Sequence, residues 1–343
     1  MRMKSCLWKI LPAIGILLLL ILDTNTATKG AAAGLELCLK VIIPSLFPFF
    51  VVTAYLNGTL LGQNIPFIHR IAKSLHIPSG GDSILLLGLI GGYPVGAQLV
   101  AQSYHNRQIN SRTGKILLGY CNNAGPALIF GISASMFSSK IAPFILWGIH
   151  ILSALVTGYL LPRPNAESIQ WSECEGLSLT KSLKTGLHIC AITCGWIIIF
   201  KIIHEYLYSI MPVSNGEIIQ ILITGIVEIS NGCLQLAQLS SEQIRFTLAS
   251  IFLSFGGVCV MLQTASVTGE LGLGLYIPGK LIQTALSTIL AVILSSILFP
   301  NAKIPFPSVI CVSVLCILIF IIVTAVNKKY MANQARILYN KST

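Results

Sequence analysis

Between Ile84 and Gly131 the chain sets two helix-breaking motifs inside sequence apolar enough to cross a membrane. The first is Gly91-Gly92-Tyr93-Pro94-Val95-Gly96 and the second is Tyr120-Cys121-Asn122-Asn123-Ala124-Gly125-Pro126. Proline lacks an N–H, and glycine loses the most backbone entropy on ordering, so both loosen or end a helix. In hydrocarbon a freed backbone group finds no water. Irregular backbone at that depth is tolerated only where protein covers it or where it lines a cavity. The stretch therefore reads as the wall of a polar cavity inside a membrane protein.

Composition agrees. Of 343 residues 54% are hydrophobic and only 10% charged, with mean hydropathy +0.81, where soluble domains carry about 25% charged residues. The net charge of +11 is spread over loops and termini without a long basic run, so it reads as topogenic charge rather than a nucleic-acid surface. Most of the ten cysteines sit in apolar segments, where cysteine behaves as a small hydrophobe. Cys190 and Cys194 have no neighbouring Cys/His set to complete a zinc site. No disulfide, metal or cofactor is expected. With no phosphate-cradling loop and no nucleophile beside a base, neither is an enzyme.

Ten apolar segments can be traced through what reads as one membrane domain, residues 1–343. The first, Ile10–Leu22, follows Arg2, Lys4 and Lys9 and reads as an uncleaved helix in preference to a signal peptide cut near residue 27. Lys29 to Asn57 is a long span kinked by Pro44 and Pro48, with Glu36 and Lys40 in helical pairing order, and a loop then leads to Asp82. Ile84–Ala101 carries the first motif and Ile116–Phe137 the second, and Ile141–Leu161 is a plain span. A polar linker, 162–185, separates this first repeat (29–161) from a second (181–299) in the same order. Lys181-x4-Gly186-Leu187-x2-Cys190 mirrors Lys29-x4-Gly34-Leu35-x2-Cys38. Ile218–Leu239 is broken at Glu228-Ile229-Ser230-Asn231-Gly232. Phe255-Gly256-Gly257 stands where the first half has Tyr120-Cys121-Asn122, and Leu281–Leu298 is plain. A final span covers 309–326. Broken segments at matching places in two repeats point to a transporter binding site.

Charge decides whether the two broken segments cross. If all ten segments span, Lys and Arg divide eleven to nine between the two sides. If the broken segments are re-entrant hairpins, sixteen fall on the cytoplasmic side, Lys280 counted among the loop residues, and four on the other. The positive-inside rule favours the second arrangement. It has eight full spans, two hairpins on opposite sides, inverted repeats and both termini cytoplasmic.

The candidate binding residues follow from these breaks: Gly92, Tyr93, Pro94 and Gly96 at the first hairpin tip, Asn122, Asn123, Gly125 and Pro126 in the opened helix, and Asn231, Gly232, Gly256 and Gly257 in the second half. Free helix N–H groups and amide donors suit a polar, anionic ligand. Glu228, the one carboxylate in the second broken segment, is a candidate coupling group for a proton or cation. Lys201 and Glu205 lie four apart and can pair, with His204 between them, where snorkelling to the surface is the default. His188 is a weaker candidate.

The Gly-Tyr-Pro-x-Gly-Ala block (Gly92–Ala97), Cys-Asn-Asn-Ala-Gly-Pro (Cys121–Pro126), the Val41–Phe49 run and Phe255–Gly257 resemble the YlbJ (SpoVV) family of sporulation integral membrane proteins, in the nucleoside-recognition or gate-domain group. The resemblance covers roughly residues 30–325. It implies a transporter that moves dipicolinic acid, a small aromatic dianion, across the outer forespore membrane during spore formation, with lipid as its surroundings. A gate-domain transporter of nucleosides or another metabolite is one rival reading. A non-transporting membrane scaffold in spore envelope assembly is another. The residues do not indicate an oligomeric state.

Overall fold

The computed structural model describes residues 20–133, 136–164, 178–210, 218–299 and 316–330, with a few isolated positions in the terminal segments. The expectations for residues 1–13, the middle of the linker (165–177), the start of the final span (309–313) and the C-terminal tail lie outside the described residues. Every regular element among the described residues is helical. Five helices are long and apolar enough to cross a membrane.

The first of these, α1 (Thr24–Leu60), opens with the Asp23 carboxylate accepting from the Thr26 N–H at 3.1 Å. It carries a π turn at Cys38–Ile42 just before Pro44, where the Ile43 N–H bonds back to the Cys38 carbonyl. A residue inserted into the helical ladder next to proline absorbs the missing donor and the ring clash. Glu36 and Lys40 pair at 2.6 Å, as their spacing predicts.

α1 lies along α8 (Leu179–Ile210). Gly30 and Gly34 press against Ile202 and Ile198, while Gly186 presses against Val51. Ascending numbers on one helix thus meet descending numbers on the other, so the pair is antiparallel. Small residues let two membrane helices approach this closely.

Next in order come α2 (Pro66–Ser74), α3 (Asp82–Ile90), α4 (Val95–His105), α5 (Ser111–Leu117), α6 (Pro126–Ser133) and α7 (Ala142–Leu160). The segment expected to be a loop up to Asp82 thus contains a helix, α2. Beyond α8 the order is α9 (Ile218–Val227), α10 (Ile229–Leu236), α11 (Glu242–Phe255), α12 (Gly257–Thr268) and α13 (Tyr276–Leu298).

The breaks fall where the glycine, proline and asparagine motifs lie. Both broken segments fold back on themselves. A β-carbon built on Gly88 of α3 or on Gly96 of α4 would fall 2.1 and 1.8 Å from one atom, the Cys121 carbonyl oxygen. A continuous helix would hold those two positions about 12 Å apart. A β-carbon on Gly232 of α10 would fall 2.2 Å from the Gly225 Cα of α9, where a continuous helix would leave about 10 Å. Hairpin 1 (α3–α4) and hairpin 2 (α9–α10) are therefore real reversals of the chain.

The helix that follows each hairpin is itself interrupted. Between α5 and α6 the chain turns back on α5 through Cys121, whose N–H bonds to the Leu117 carbonyl, and is unwound over Asn122–Gly125, a longer opening than Gly125-Pro126 alone predicts. Between α11 and α12 the break is confined to Gly256 and Gly257, whose φ angles of 81° and 80° suit glycine alone.

Two charged positions differ from expectation. Lys280, counted as a loop charge, lies one turn into α13 and is 1% exposed. The topology count falls to fifteen against four, which leaves its direction unchanged. Glu205 pairs with Lys29 at 3.1 Å rather than with Lys201, whose Nζ donates instead to Asn231 Oδ1 at 2.7 Å. Lys201 therefore turns in toward hairpin 2 rather than out to the surface. A buried amide oxygen within reach of the ammonium outweighs hydration at that depth.

Candidate functional site

The two hairpin tips and the two helix breaks converge. Gly92, with φ of 82°, puts its Cα 2.8 Å from where a β-carbon on Gly125 would sit. Tyr93 at the same tip donates its hydroxyl to the Leu253 carbonyl at 3.2 Å. Its ring end lies against Gly256, where a β-carbon would come within 3.2 Å of Cζ. Gly257, on the other side of that break, faces the carbonyl of Ile226 near the tip of hairpin 2. A side chain at Gly125, Gly256 or Gly257 would crowd a hairpin against its break, and one at Gly92 would be strained by its positive φ.

Between the tips is a void of about 30 Å³, room for a water or two. It is lined by Gly92 and Tyr93, by Gly125, and by Glu228, Ile229 and Ser230 of hairpin 2, with Thr193, Gln263 and apolar residues of α1, α8 and α12 closing it. Glu228 is 2% exposed. Its carboxylate accepts from the Ser230 and Asn231 N–H groups at 2.9 and 2.8 Å, capping α10. A negative charge there meets the positive end of the helix and two of its unpaired donors.

A larger cavity, about 610 Å³, opens beside hairpin 1 between α1, α4 and α8. Thr53, Asn57, Gln98, Gln102, His105, Lys181 and Thr185 make its wall polar. A second cavity, about 250 Å³, shares Gln98, Ile189 and Val267 with it and reaches Pro94 and His188. Pro94 adjoins Tyr93, and Ile189 and Val267 lie one helical turn from Thr193 and Gln263. The cavities thus step from the hairpin 1 surface toward the void between the tips. On the hairpin 2 side, α8 covers the approach: Lys201 holds Asn231, and buried His204 Nε2 lies 3.3 Å from Thr224 of α9 and 3.5 Å from Gln235 of α10.

Four of the residues expected from sequence, Gly92, Tyr93, Gly125 and Glu228, line the void. Pro94 lines its approach, and Gly256 and Gly257 hold the tips. Gly96 and Gly232 close the hairpins, Pro126 starts α6, and Asn231 sits in the first turn of α10. Asn122 and Asn123 stand behind the void, with their amides bound to protein groups. Asn122 Oδ1 accepts from the Ala97 N–H at 3.3 Å and Nδ2 donates to Thr264 at 2.9 Å, tying hairpin 1 to α12. Asn123 Nδ2 donates to the carbonyls of Tyr120 and Gly88.

Asn123 Oδ1 accepts from Lys280 Nζ at 3.2 Å and from Gln283 Nε2 at 3.0 Å. Nearby, His150 of α7 accepts the Ala124 N–H on Nε2 at 3.0 Å and turns Nδ1 to the Ser254 hydroxyl at 3.4 Å. This cluster of Lys280, Gln283 and His150 was missed in the sequence, where His150 and Gln283 fell in plain spans and Lys280 looked topogenic. The available signal was one Lys-x-x-Gln step at the start of a span.

An alignment 294 positions long, which covers 71% of this chain and 70% of the relative, gives 23% identity to the sporulation integral membrane protein YlbJ of Bacillus subtilis (strain 168). No family model matches the chain, and no solved structure does. Its five apolar helices and this similarity together identify an integral membrane protein similar to the sporulation protein YlbJ.

Proposed function

We propose that this protein is a membrane transporter of a small organic anion in spore formation, with dipicolinate as its substrate. The observation that carries the reading is the meeting of two hairpin tips and two helix breaks around one void. Hairpin helices of nine and eleven residues, α3 and α4, and of ten and eight, α9 and α10, reach only about 12–16 Å each. That is half of a hydrocarbon core roughly 30 Å thick, so each hairpin enters and leaves by the same side.

Long helix, hairpin, broken helix and plain helix recur in that order on both sides of the linker. The long helices α1 and α8 are antiparallel. Together with the charge asymmetry this supports inverted repeats, eight full spans and cytoplasmic termini. A scaffold has no use for opened backbone at membrane depth, whereas a carrier uses it to hold its ligand. The polar cavity beside hairpin 1 gives a ligand its way in, while α8 shuts the hairpin 2 side.

The void is closed to a ligand in this arrangement, so binding has to part the tips. Thermal stabilisation of the purified protein by dipicolinate, but not by nucleosides, is the expected result, together with dipicolinate uptake into proteoliposomes. Stabilisation by nucleosides alone would favour the nucleoside carrier, and no response to any solute, with no uptake, would favour the scaffold.

A further inference from the structure

We infer that Lys280 supplies the fixed positive charge that selects a carboxylate ligand at the site between the hairpin tips. The inference rests on the transporter reading above and adds to it the residue that makes the site prefer anions.

Lys280 is 1% exposed, and no carboxylate among the described residues reaches its ammonium within salt-bridge distance. An unpaired buried cation is costly, and chains keep one where it has work to do. Everything around Nζ donates electron density. Gln283 Oε1 lies 2.7 Å away and Asn123 Oδ1 3.2 Å away. The ring centres of Tyr93 and Tyr276 are 5.1 and 5.8 Å away, within cation–π range. Both amide oxygens accept from Nζ, while the amide N–H groups of Asn123 and Gln283 donate elsewhere, to Tyr120, Gly88, Asn123 and His150. The surroundings are those of an ammonium. Amides and rings steady its position without cancelling its charge, so the interior here carries an unbalanced positive charge.

That charge stands one ring away from the void. Tyr93 has Lys280 over its face and lines the void. When the ring of Tyr93 swings aside, a carboxylate arriving past Pro94 meets Nζ, with Asn123 still in place against it. Asn123 and Gln283 are positioning residues: each presents an oxygen to Nζ, and Gln283 Nε2 fixes the Asn123 amide in turn. Planar carboxylates that can also lie against Tyr93 and Tyr276 fit this setting best.

The test uses the full chain in lipid nanodiscs and two probes of the same shape, dipicolinate and its neutral diamide, pyridine-2,6-dicarboxamide. Lys280→Met should weaken dipicolinate binding tenfold or more while leaving diamide binding within threefold, and Lys280→Arg should keep dipicolinate binding within threefold. Gln283→Glu places a carboxylate against the ammonium and should cost dipicolinate the same tenfold. Because that variant gains an ion pair, it serves as the deciding variant if Lys280→Met does not fold. Wild-type dipicolinate affinity in Lys280→Met or in Gln283→Glu overturns the role of Lys280 and leaves the anion carrier standing. A wild type that binds the diamide and no carboxylate overturns the anion carrier itself, and this inference with it.

Discussion

Gly96→Ala sets two effects of opposite sign against each other. Gly96 lies in the first turn of α4, where alanine is the better helix former by up to about 1 kcal/mol, so propensity alone predicts a more stable protein. The structure predicts the reverse. The new β-carbon would fall 1.8 Å from the Cys121 oxygen, 2.8 Å from its carbon and 2.9 Å from the Asn122 Cα. A comfortable C···O approach is about 3.3 Å, so either hairpin 1 or the unwound segment must retreat by about 1.5 Å. All three atoms are backbone and cannot rotate aside. Overpacking of this kind costs about 1–3 kcal/mol, which leaves a net loss of up to about 2 kcal/mol after the gain in propensity.

Gly88→Ala meets the same oxygen at 2.1 Å. One retreat of the Cys121 carbonyl relieves both, so the double variant should lose less than the two single losses combined, by about 0.5 kcal/mol or more. Gly148→Ala and Gly195→Ala have open space around the added carbon and serve as controls that should be neutral or stabilising. Equilibrium unfolding by SDS titration of mixed micelles, followed by tryptophan fluorescence, reads all five. Gly96→Ala as stable as Gly148→Ala would refute the interlock of hairpin 1 with the unwound segment.

Three further outcomes are expected. For topology, single cysteines at the exposed positions Asn106 and Ser240 in a cysteine-poor background should react with an impermeant reagent from opposite sides of the membrane, and labelling of both from one side would sink the inverted arrangement. Asn122→Ala strips partners from the Ala97 N–H and from Thr264, and leaving the buried N–H alone unpaired costs about 1–3 kcal/mol; lowered stability with lowered uptake is expected, and an unchanged unfolding midpoint would show the tie to be idle. For coupling, Glu228→Gln keeps size but cannot ionise, so uptake driven by an imposed pH gradient should lose its response to that gradient; a full response in the variant would leave Glu228 as a structural cap of α10.

The breaks were legible in the sequence because glycine and proline inside apolar segments have few other uses, and both hairpins and both interrupted helices fall on those motifs. Glu228 was legible for a similar reason, as a lone acid between apolar runs. The partners of Asn122, Asn123 and Lys280 were not. A lysine at the head of a span reads as topogenic because its stem can carry the charge to water. Whether it does so depends on what packs over it, here Asn123, 157 positions away in the chain. Asn122 and Asn123 read as ligand donors because the sequence does not show that Thr264, Ala97 and Gly88 lie within reach. Lys201 was drawn to the surface in the same way, by ignorance of Asn231.

The glycine contacts at the helix breaks also govern which parts can slide and which cannot. Backbone pressed on backbone has no rotamer to give, so hairpin 1 and the unwound segment that it grips form one stiff wedge. The hinge of a carrier built this way lies outside the wedge, along the seam where α4 faces α1 and α8, and the 610 Å³ cavity follows that seam. A cross-link confined to the wedge would leave such a machine running, whereas one across the seam, from α4 to α8, would jam it.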